Sequence, residues 1–133
     1  MSDKPRIDAD LVRDFVSSAH GDLDKVRELR QREPALINAA WDWGGGDWET
    51  GLGAASHAGR RDIALYLLEN GARMDIFAAA MLGHLDLVRA TLQAVPGARA
   101  WRGPHGIPLL KHAEVGGPAA AQVAEFLKSL ERA

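Results

Sequence analysis

The apolar residues of the chain recur at helical spacing in short segments that are separated by glycine. The clearest example is the stretch Ala54–Asp75, which reads AASHAGRRDIALYLLENGARMD. An alanine-rich segment runs to Gly59, and the segment after it carries an apolar stripe on a 3.6-residue period. The stripe consists of Ile63, Ala64, Leu67 and Leu68. Gly71 then provides a stop signal, so the pattern predicts two short helices joined by a tight turn.

Copies of this helix-turn-helix pattern occur along most of the chain. They read SSAHGDLDKVREL around Gly21, AAMLGHLDLVRATL around Gly83, and HAEVGGPAAAQVAEFL near the end of the chain. Aligning the first apolar residue of each second helix gives spacings of 38, 24 and 35 residues between Val26, Ala64, Val88 and Val123. Two short helices cannot bury their apolar faces alone, so we predict that the copies stack.

These repeats resemble the ankyrin-repeat family, whose unit of about 33 residues combines a β-turn with two helices. The best match has the alanine pair, glycine turn, paired leucines and Gly-Ala ending of the family, and GHLDLVRATL is nearly as good. The Thr-Pro-Leu-His signature is degraded to Thr50-Gly51-Leu52-Gly53 and Ile107-Pro108-Leu109-Leu110. The resemblance implies a single all-α domain over residues 1–133, a stack of four repeats at about 10–42, 43–75, 76–104 and 105–131.

Capping residues indicate where several of the helices begin and end. Asp10 is predicted to cap a helix over residues 11–20, and Asp22 to cap a helix over residues 23–33 that must end before Pro34. Further helices are expected over residues 85–94 and from Pro118 to about residue 130, with proline in the first turn.

Two irregularities interrupt the period, and they are adjacent. The segment Trp41–Glu49 makes the first connection about five residues too long, whereas the 24-residue spacing leaves the third repeat about nine residues short. We therefore predict one enlarged aromatic loop beside one deleted finger. The long loop is expected to bend over the gap above the first helix of the third repeat and to enclose a pocket. A second irregular loop, Trp101–Gly106, is expected to border the same gap.

The enlarged loop supplies the first candidate functional residues. Its aromatic rings are suited to stacking or cation binding, with Trp48 favoured for function and Trp41 for packing. Its acids are turn-formers or, if one of them is buried, a general acid or base with a raised pKa. The set comprises Trp41, Asp42, Trp43, Asp47, Trp48 and Glu49.

Histidines supply the second set of candidates. His57 and Met81 hold equivalent positions on first helices, facing the concave groove in the register of the family. A histidine at this position can bind a carboxylate or move a proton near neutral pH. His105 is fixed between prolines and glycines in a loop that also contains Trp101. The expected catalytic candidates are Asp47, Glu49 and His57, while His20 is assigned to the surface and His112 to the core.

Composition narrows the classes of function. The net charge is −2 and arginines are few in any one segment, so neither nucleic acid nor an anionic membrane is an expected partner. No long apolar run or signal sequence is present, and a cytoplasmic location is expected. The chain has no cysteine. Zinc ligation by His57, His105 and Asp47 is geometrically possible but lacks a recognised spacing, so neither metal nor cofactor is expected.

Two functions follow from these features. The family resemblance implies a protein-interaction module whose partner lies in the concave groove and touches the tryptophan-rich loop. The alternative is a small-molecule-binding protein or small enzyme with its pocket under residues 41–49. An aromatic lid beside an alanine-lined notch strengthens the alternative, because a flat interaction groove requires neither feature. A glycine-hinged tryptophan loop is equally suited to be a hot spot for a protein partner, and the interaction module remains the first interpretation. The sequence leaves the ligand, the partner and the oligomeric state open.

Overall fold

The computed structural model describes residues 4–132, and this part of the chain is all-α apart from one small antiparallel sheet. The α-helices are α1 Ala9–Ser18, α2 Leu23–Arg32, α3 Gly51–His57, α4 Arg61–Glu69, α5 Ile76–Leu82, α6 Leu85–Ala94, α7 Leu109–Val115 and α8 Ala121–Arg132. The strands are β1 Ala40–Asp42 and β2 Trp48–Thr50. Short 3₁₀ segments cover Pro34–Asn38, Pro96–Ala100, Pro104–Gly106 and Gly117–Ala120. The all-α prediction is confirmed.

Consecutive helices form pairs, and the pairs pack in chain order. Within each pair the two helices contact one another, and the first helices α1, α3, α5 and α7 pack side by side in that order. Glycines with positive φ end α3 and α5, namely Gly59 at +69° and Gly83 at +86°. Ala119 of the last pair lies so close to Gly83 that a Cβ there would collide with the Ala119 carbonyl. Glycine is thus required both for the turn and for the packing.

Apolar stripes of the helices form two adjoining cores. One lies among the first helix pairs and includes Phe15, Leu29, Ile63 and Leu67, all at most 1% exposed. The other lies among α5 to α8 and includes Val88, Leu109 and Val123. The predicted stripe of the second pair is therefore buried as expected, except that Leu68 is only half-buried.

Helix boundaries agree with the capping signals in most places. Asp22 accepts a 3.1 Å hydrogen bond from the Lys25 backbone N–H and caps α2, and α6 has the predicted bounds. The first cap was assigned wrongly, because Asp8 rather than Asp10 caps α1 and accepts from the Asp10 N–H at 2.8 Å. At the other end, Pro118 lies in a 3₁₀ turn that leads into α8 rather than in α8 itself.

The enlarged connection forms a β-hairpin, and the shortened one has no strand. Trp41 pairs with Glu49 in the antiparallel register, and Gly44, Gly45 and Gly46 make the turn with positive φ angles. Between α4 and α5, by contrast, residues 70–75 pass directly from one helix to the next. These observations agree with one enlarged and one missing finger. No helix among residues 4–132 is long and apolar enough to cross a membrane.

Candidate functional site

The hairpin directs one carboxylate into the interior. Side chains of a strand alternate between its faces, and on β2 Trp48 is 61% exposed whereas Glu49 is 1% exposed. Thr50, the next residue, caps α3 by accepting a 3.0 Å hydrogen bond from the Gly53 N–H. The cap fixes the junction of β2 with α3, and this junction positions the Glu49 side chain at the centre of the candidate site.

Four donor side chains surround the Glu49 carboxylate. Its Oε2 lies 2.8 Å from Nε2 of His57 and 3.4 Å from Nε2 of His105. Its Oε1 lies 3.2 Å from Nε2 of His20 and accepts a 2.9 Å hydrogen bond from the Trp43 indole N–H. Three imidazoles and one indole therefore converge on a single buried acid. We call His20, Glu49, His57 and His105 the histidine–glutamate cluster.

The three histidines lie at separate places along the chain, each close to an end of a different helix. His20 lies in the turn after α1, His57 is the last residue of α3, and His105 lies in the 3₁₀ turn before α7. Their rings contact edge to face, with centroids 5.0 Å apart for His20 and His57 and 5.3 Å apart for His57 and His105. The side chains are 31%, 16% and 36% exposed respectively, so the cluster opens to solvent while its acid does not.

The hairpin also reaches the loop before α7. Asp47 accepts two hydrogen bonds from His105, one from the backbone N–H at 2.8 Å and one from ring Nδ1 at 2.7 Å. His105 has a φ of +62°, a conformation that non-glycine residues rarely adopt, and these bonds help to hold it. Asp47 and His105 thus join the hairpin to the segment before α7.

Electrostatics keep the central acid ionised. Burial by itself raises the pKa of Glu49, but hydrogen bonds from His20 and His57 outweigh it and lower that pKa to about 2. The hydrogen bond to Glu49 in turn raises the pKa of His20. The sequence-based expectation that a buried acid of this loop has a raised pKa is therefore wrong. Its physical premise was burial alone, whereas the fold supplies imidazole donors.

Beside the cluster lies a cavity of about 340 Å³ between the hairpin, the start of α5 and the segment before α7, and we call it the notch cavity. The hairpin contributes Asp47 and Trp48, α5 contributes Phe77, and the segment before α7 contributes Arg102 and Pro104. Asp75 also lines the cavity, and its burial raises its pKa although it caps α5 at the Ala78 N–H. The predicted pocket is present, but it adjoins the cluster rather than containing it.

Several predicted site residues have other roles. Met81 is 1% exposed and belongs to the core, so its assignment to a ligand-facing groove is wrong. Trp41 packs against the same core, as favoured from the sequence. Asp42 accepts hydrogen bonds from the Gly44 and Gly46 N–H groups and holds the hairpin turn. Trp101 is 45% exposed and is not among the residues that line the notch cavity.

His20 belongs to the cluster although the sequence did not predict it as a site residue. It was assigned to the surface, whereas its ring lies against His57 and Glu49. A signal was available, because His20 and His57 both end the first segment of a helix pair just before a glycine turn. Helix-pair stacking places such positions next to each other.

His112 contrasts with the cluster histidines. It is fully buried, as expected, with Nδ1 2.9 Å from the Pro108 carbonyl and its ring 4.9 Å from that of Phe77. Its Nε2 has no hydrogen-bond partner among the described residues. Burial lowers the pKa of His112, so the ring is neutral in the folded protein at neutral pH.

Comparisons with known proteins do not assign the chain to a family. No protein-family model matches it, and no curated protein is similar to it. Function must therefore be inferred from the site.

Proposed function

We propose that this chain is a small-ligand-binding protein that holds its ligand at the histidine–glutamate cluster, on an ankyrin-like stack of four helix pairs. The ordered packing of α1, α3, α5 and α7 and the positive-φ glycines at the helix turns support the stack. The observation that carries the function is the burial of the Glu49 carboxylate among three imidazole Nε2 atoms from separate helix pairs.

Such a cluster is poorly explained by stability alone. A buried ion pair or polar network contributes less to folding than well-packed apolar side chains of similar volume, because its groups must be desolvated. The stack has apolar residues available for this purpose elsewhere, and its cores are built from them. Clusters of this kind, with perturbed pKa values beside a cleft, are characteristic of binding and catalytic sites.

The ionisation of Glu49 favours a role in holding a ligand. A carboxyl group with a pKa of about 2 is a poor proton donor at neutral pH, which argues against general acid catalysis by Glu49. It is instead a permanent acceptor at the centre of a partly open site. Because the neighbouring Asp47 is also anionic, the two carboxylates attract cations and hydrogen-bond donors.

A thermal-unfolding screen tests this function directly. The full-length chain is mixed with amines, carboxylates, nucleotides and divalent cations, and unfolding is followed by tryptophan fluorescence. A ligand at about 100 times its dissociation constant should stabilise the fold by about 2.7 kcal/mol. The stabilisation should be lost in His57→Gln and retained in His84→Gln, since His84 is exposed outside the cluster. Stabilisation that persists in His57→Gln contradicts the proposed site.

A protein partner is the second candidate, and exposed tryptophans favour it. Trp43, Trp48 and Trp101 are 39%, 61% and 45% exposed, and tryptophan is enriched at the energetic centres of protein interfaces. This function requires the outer faces of these rings rather than the cluster. Trp48→Ala should therefore abolish partner binding while leaving small-ligand binding at the cluster intact.

A further inference from the structure

We propose that the histidine–glutamate cluster binds one transition-metal ion of the zinc class through Nε2 of His20, His57 and His105 and a carboxylate oxygen of Glu49. This inference rests on the proposed function, because it names the ligand of the same site. Nothing in the sequence spacing indicates the site, since its donors come from four segments that only the fold brings together.

The donor atoms already converge. One ligand atom from each of the four residues can be chosen so that all lie within 4.8 Å of one another. Tetrahedral zinc, with bonds of about 2.0–2.2 Å, places its ligand atoms about 3.4 Å apart. Binding therefore requires the donor atoms to move closer together, and the side chains of His20 and His105, about one third exposed, are the least confined by packing.

The outer hydrogen bonds orient the rings as metal ligands. Metal-binding histidines generally donate their second ring N–H to a carboxylate or a backbone carbonyl. His105 Nδ1 lies 2.7 Å from the Asp47 carboxylate, and His20 Nδ1 lies 3.0 Å from the Ser17 carbonyl. Both partners can only accept a hydrogen bond, so Nδ1 is the donor in each ring. When the ring is neutral, as a metal ligand must be, Nε2 points its lone pair towards the centre of the cluster.

The central acid is oriented in the same way. The Trp43 N–H holds Oε1 of Glu49 at 2.9 Å and leaves Oε2 facing His57 and His105. In the metal-free protein His20 and His57 donate hydrogen bonds to Glu49, and a bound metal ion takes the place of these protons. A single dication satisfies all four donors and offsets the negative charges of Glu49 and Asp47.

The donor set selects the class of metal. Imidazole nitrogen suits Zn²⁺, Cu²⁺, Ni²⁺ and Fe²⁺, whereas Mg²⁺ and Ca²⁺ prefer sites made of oxygen. Three nitrogens and one oxygen from protein side chains are typical of four-coordinate zinc. The absence of cysteine excludes a thiolate ligand. Co²⁺ can replace zinc in such a site and reports tetrahedral geometry through its visible absorption.

The decisive experiment titrates Zn²⁺ and Co²⁺ into the full-length, tag-free chain after removal of metal with EDTA and dialysis. Calorimetry should give one ion per chain, and Co²⁺ should give the visible bands of a tetrahedral site. Trp43 lies near the site, with its ring centroid 6.4 Å from that of His20, so Co²⁺ should quench its fluorescence. Trp43→Phe should lose most of this quenching and keep the absorption bands.

Matched variants separate ligands from bystanders. His20→Gln, His57→Gln and His105→Gln should each weaken binding by more than about 100-fold, while Asp47→Asn, which changes only the outer hydrogen bond to His105, should weaken it by about 10–100-fold. His84→Gln should bind as the unmodified chain does. Circular dichroism must show each variant folded, and His20 and His105 are the safest positions because their side chains are about one third exposed.

Each outcome decides between the two proposals. One ion per chain with loss in the three histidine variants supports the metal site. The metal-site proposal is overturned if metal binding is unchanged in these variants. It is also overturned if no metal binds while an organic ligand stabilises the chain through His57, and in that case the proposed function still stands. If neither a metal ion nor an organic ligand binds at the cluster, both proposals are overturned.

Discussion

The histidine–glutamate cluster and the buried site of His112 hold their histidines in opposite ways. Near the hairpin, three imidazoles share an ionised acid, and the hydrogen bond that His20 donates to Glu49 raises the pKa of His20. In the last helix pair, His112 is buried beside Phe77 without a charged hydrogen-bond partner, and burial lowers its pKa. The same residue type is thus stabilised as a cation in one place and as a neutral ring in the other.

Local chain geometry explains this difference. The long first connection forms a hairpin that contributes Asp47 and Glu49. Glu49 is hydrogen-bonded to His57, and Asp47 is hydrogen-bonded to His105. The last pair has no comparable insertion, and its close packing leaves His112 with a backbone carbonyl as its partner. The hairpin therefore places charged groups beside its histidines, whereas the close packing around His112 does not.

Gly83→Ala should produce the largest loss of stability, because Gly83 packs closely against the segment that leads into α8. The substitution combines a φ of +86° with a collision against the Ala119 carbonyl, and we expect a cost of about 3–5 kcal/mol in urea unfolding. Gly45→Ala is the matched control in the hairpin, where φ is +62° but no atom would lie within 4 Å of the new Cβ. It should cost only about 1–2 kcal/mol, and equal losses would contradict the contrast in packing.

Glu49→Ala should cost about 2–3 kcal/mol in metal-free protein, because it leaves Trp43 and the three histidines without their shared acceptor. The partial exposure of the histidines keeps the cost from being larger, since water can replace the lost bonds. Glu125→Ala removes an exposed ion pair with Arg132 and serves as control, with a change below about 0.5 kcal/mol. A loss at Glu49 as small as the control would show that the cluster does not stabilise the fold.

His112 should make the fold sensitive to mild acid. Its pKa is lowered on folding, so the unfolded chain binds the extra proton first and stability falls as pH decreases from about 6.5. His20 acts oppositely in metal-free protein, contributing stability that is lost as pH rises through its raised pKa. Unfolding free energies of the chain and of His112→Leu, measured from pH 8 to pH 5, separate these contributions.

We expect the unfolding free energy of His112→Leu to fall less steeply than that of the unmodified chain as pH decreases below about 6.5. At pH 8 the substitution should change the unfolding free energy by less than about 1 kcal/mol, because leucine can fill an apolar site of this size. An equally steep fall would mean that His112 is already protonated in the folded state or does not titrate in this range. His84→Leu, at an exposed position, should leave the pH profile as it is.

Trp48→Ala should have the smallest effect. Its side chain is 61% exposed on the outer face of β2, opposite Glu49, and we expect a change within about 0.5 kcal/mol. A larger loss would show that the ring covers the notch cavity as a structural lid. The measurement is the same urea unfolding, so the value can be set beside that for Glu49→Ala on the adjacent residue.

The sequence predicted the helix pairs well because their signals are local. Gly59 and Gly83 adopt positive φ just after α3 and α5, and Asp22 caps α2 by accepting a hydrogen bond from the N–H of Lys25, three residues away. Deviations of the spacing from a regular period were also sufficient to locate the long connection that forms the hairpin and the short connection between α4 and α5. The misplaced cap at Asp10 shows the limit of such signals, because Asp8 could serve equally well.

The site residues were predicted only in part, because their partners are distant along the chain. Asp47, Glu49, His57 and His105 were all candidates, but the sequence could not pair Glu49 with His57 or Asp47 with His105. His20 was excluded and Met81 was included because register along a helix does not specify which neighbour covers a position. The pKa of Glu49 was predicted with the wrong sign for the same reason.

The sequence by itself therefore determined the helices, their pairing and the place where the repeat is irregular, since all three depend on contacts within a few turns of chain. Only the tertiary structure decided that one acid is buried among three histidines. That arrangement depends on the stacking of helix pairs, which places residues 20, 49, 57 and 105 within reach of one another. Burial, charge and ligand geometry at the cluster are properties of that stacking and belong to no single segment.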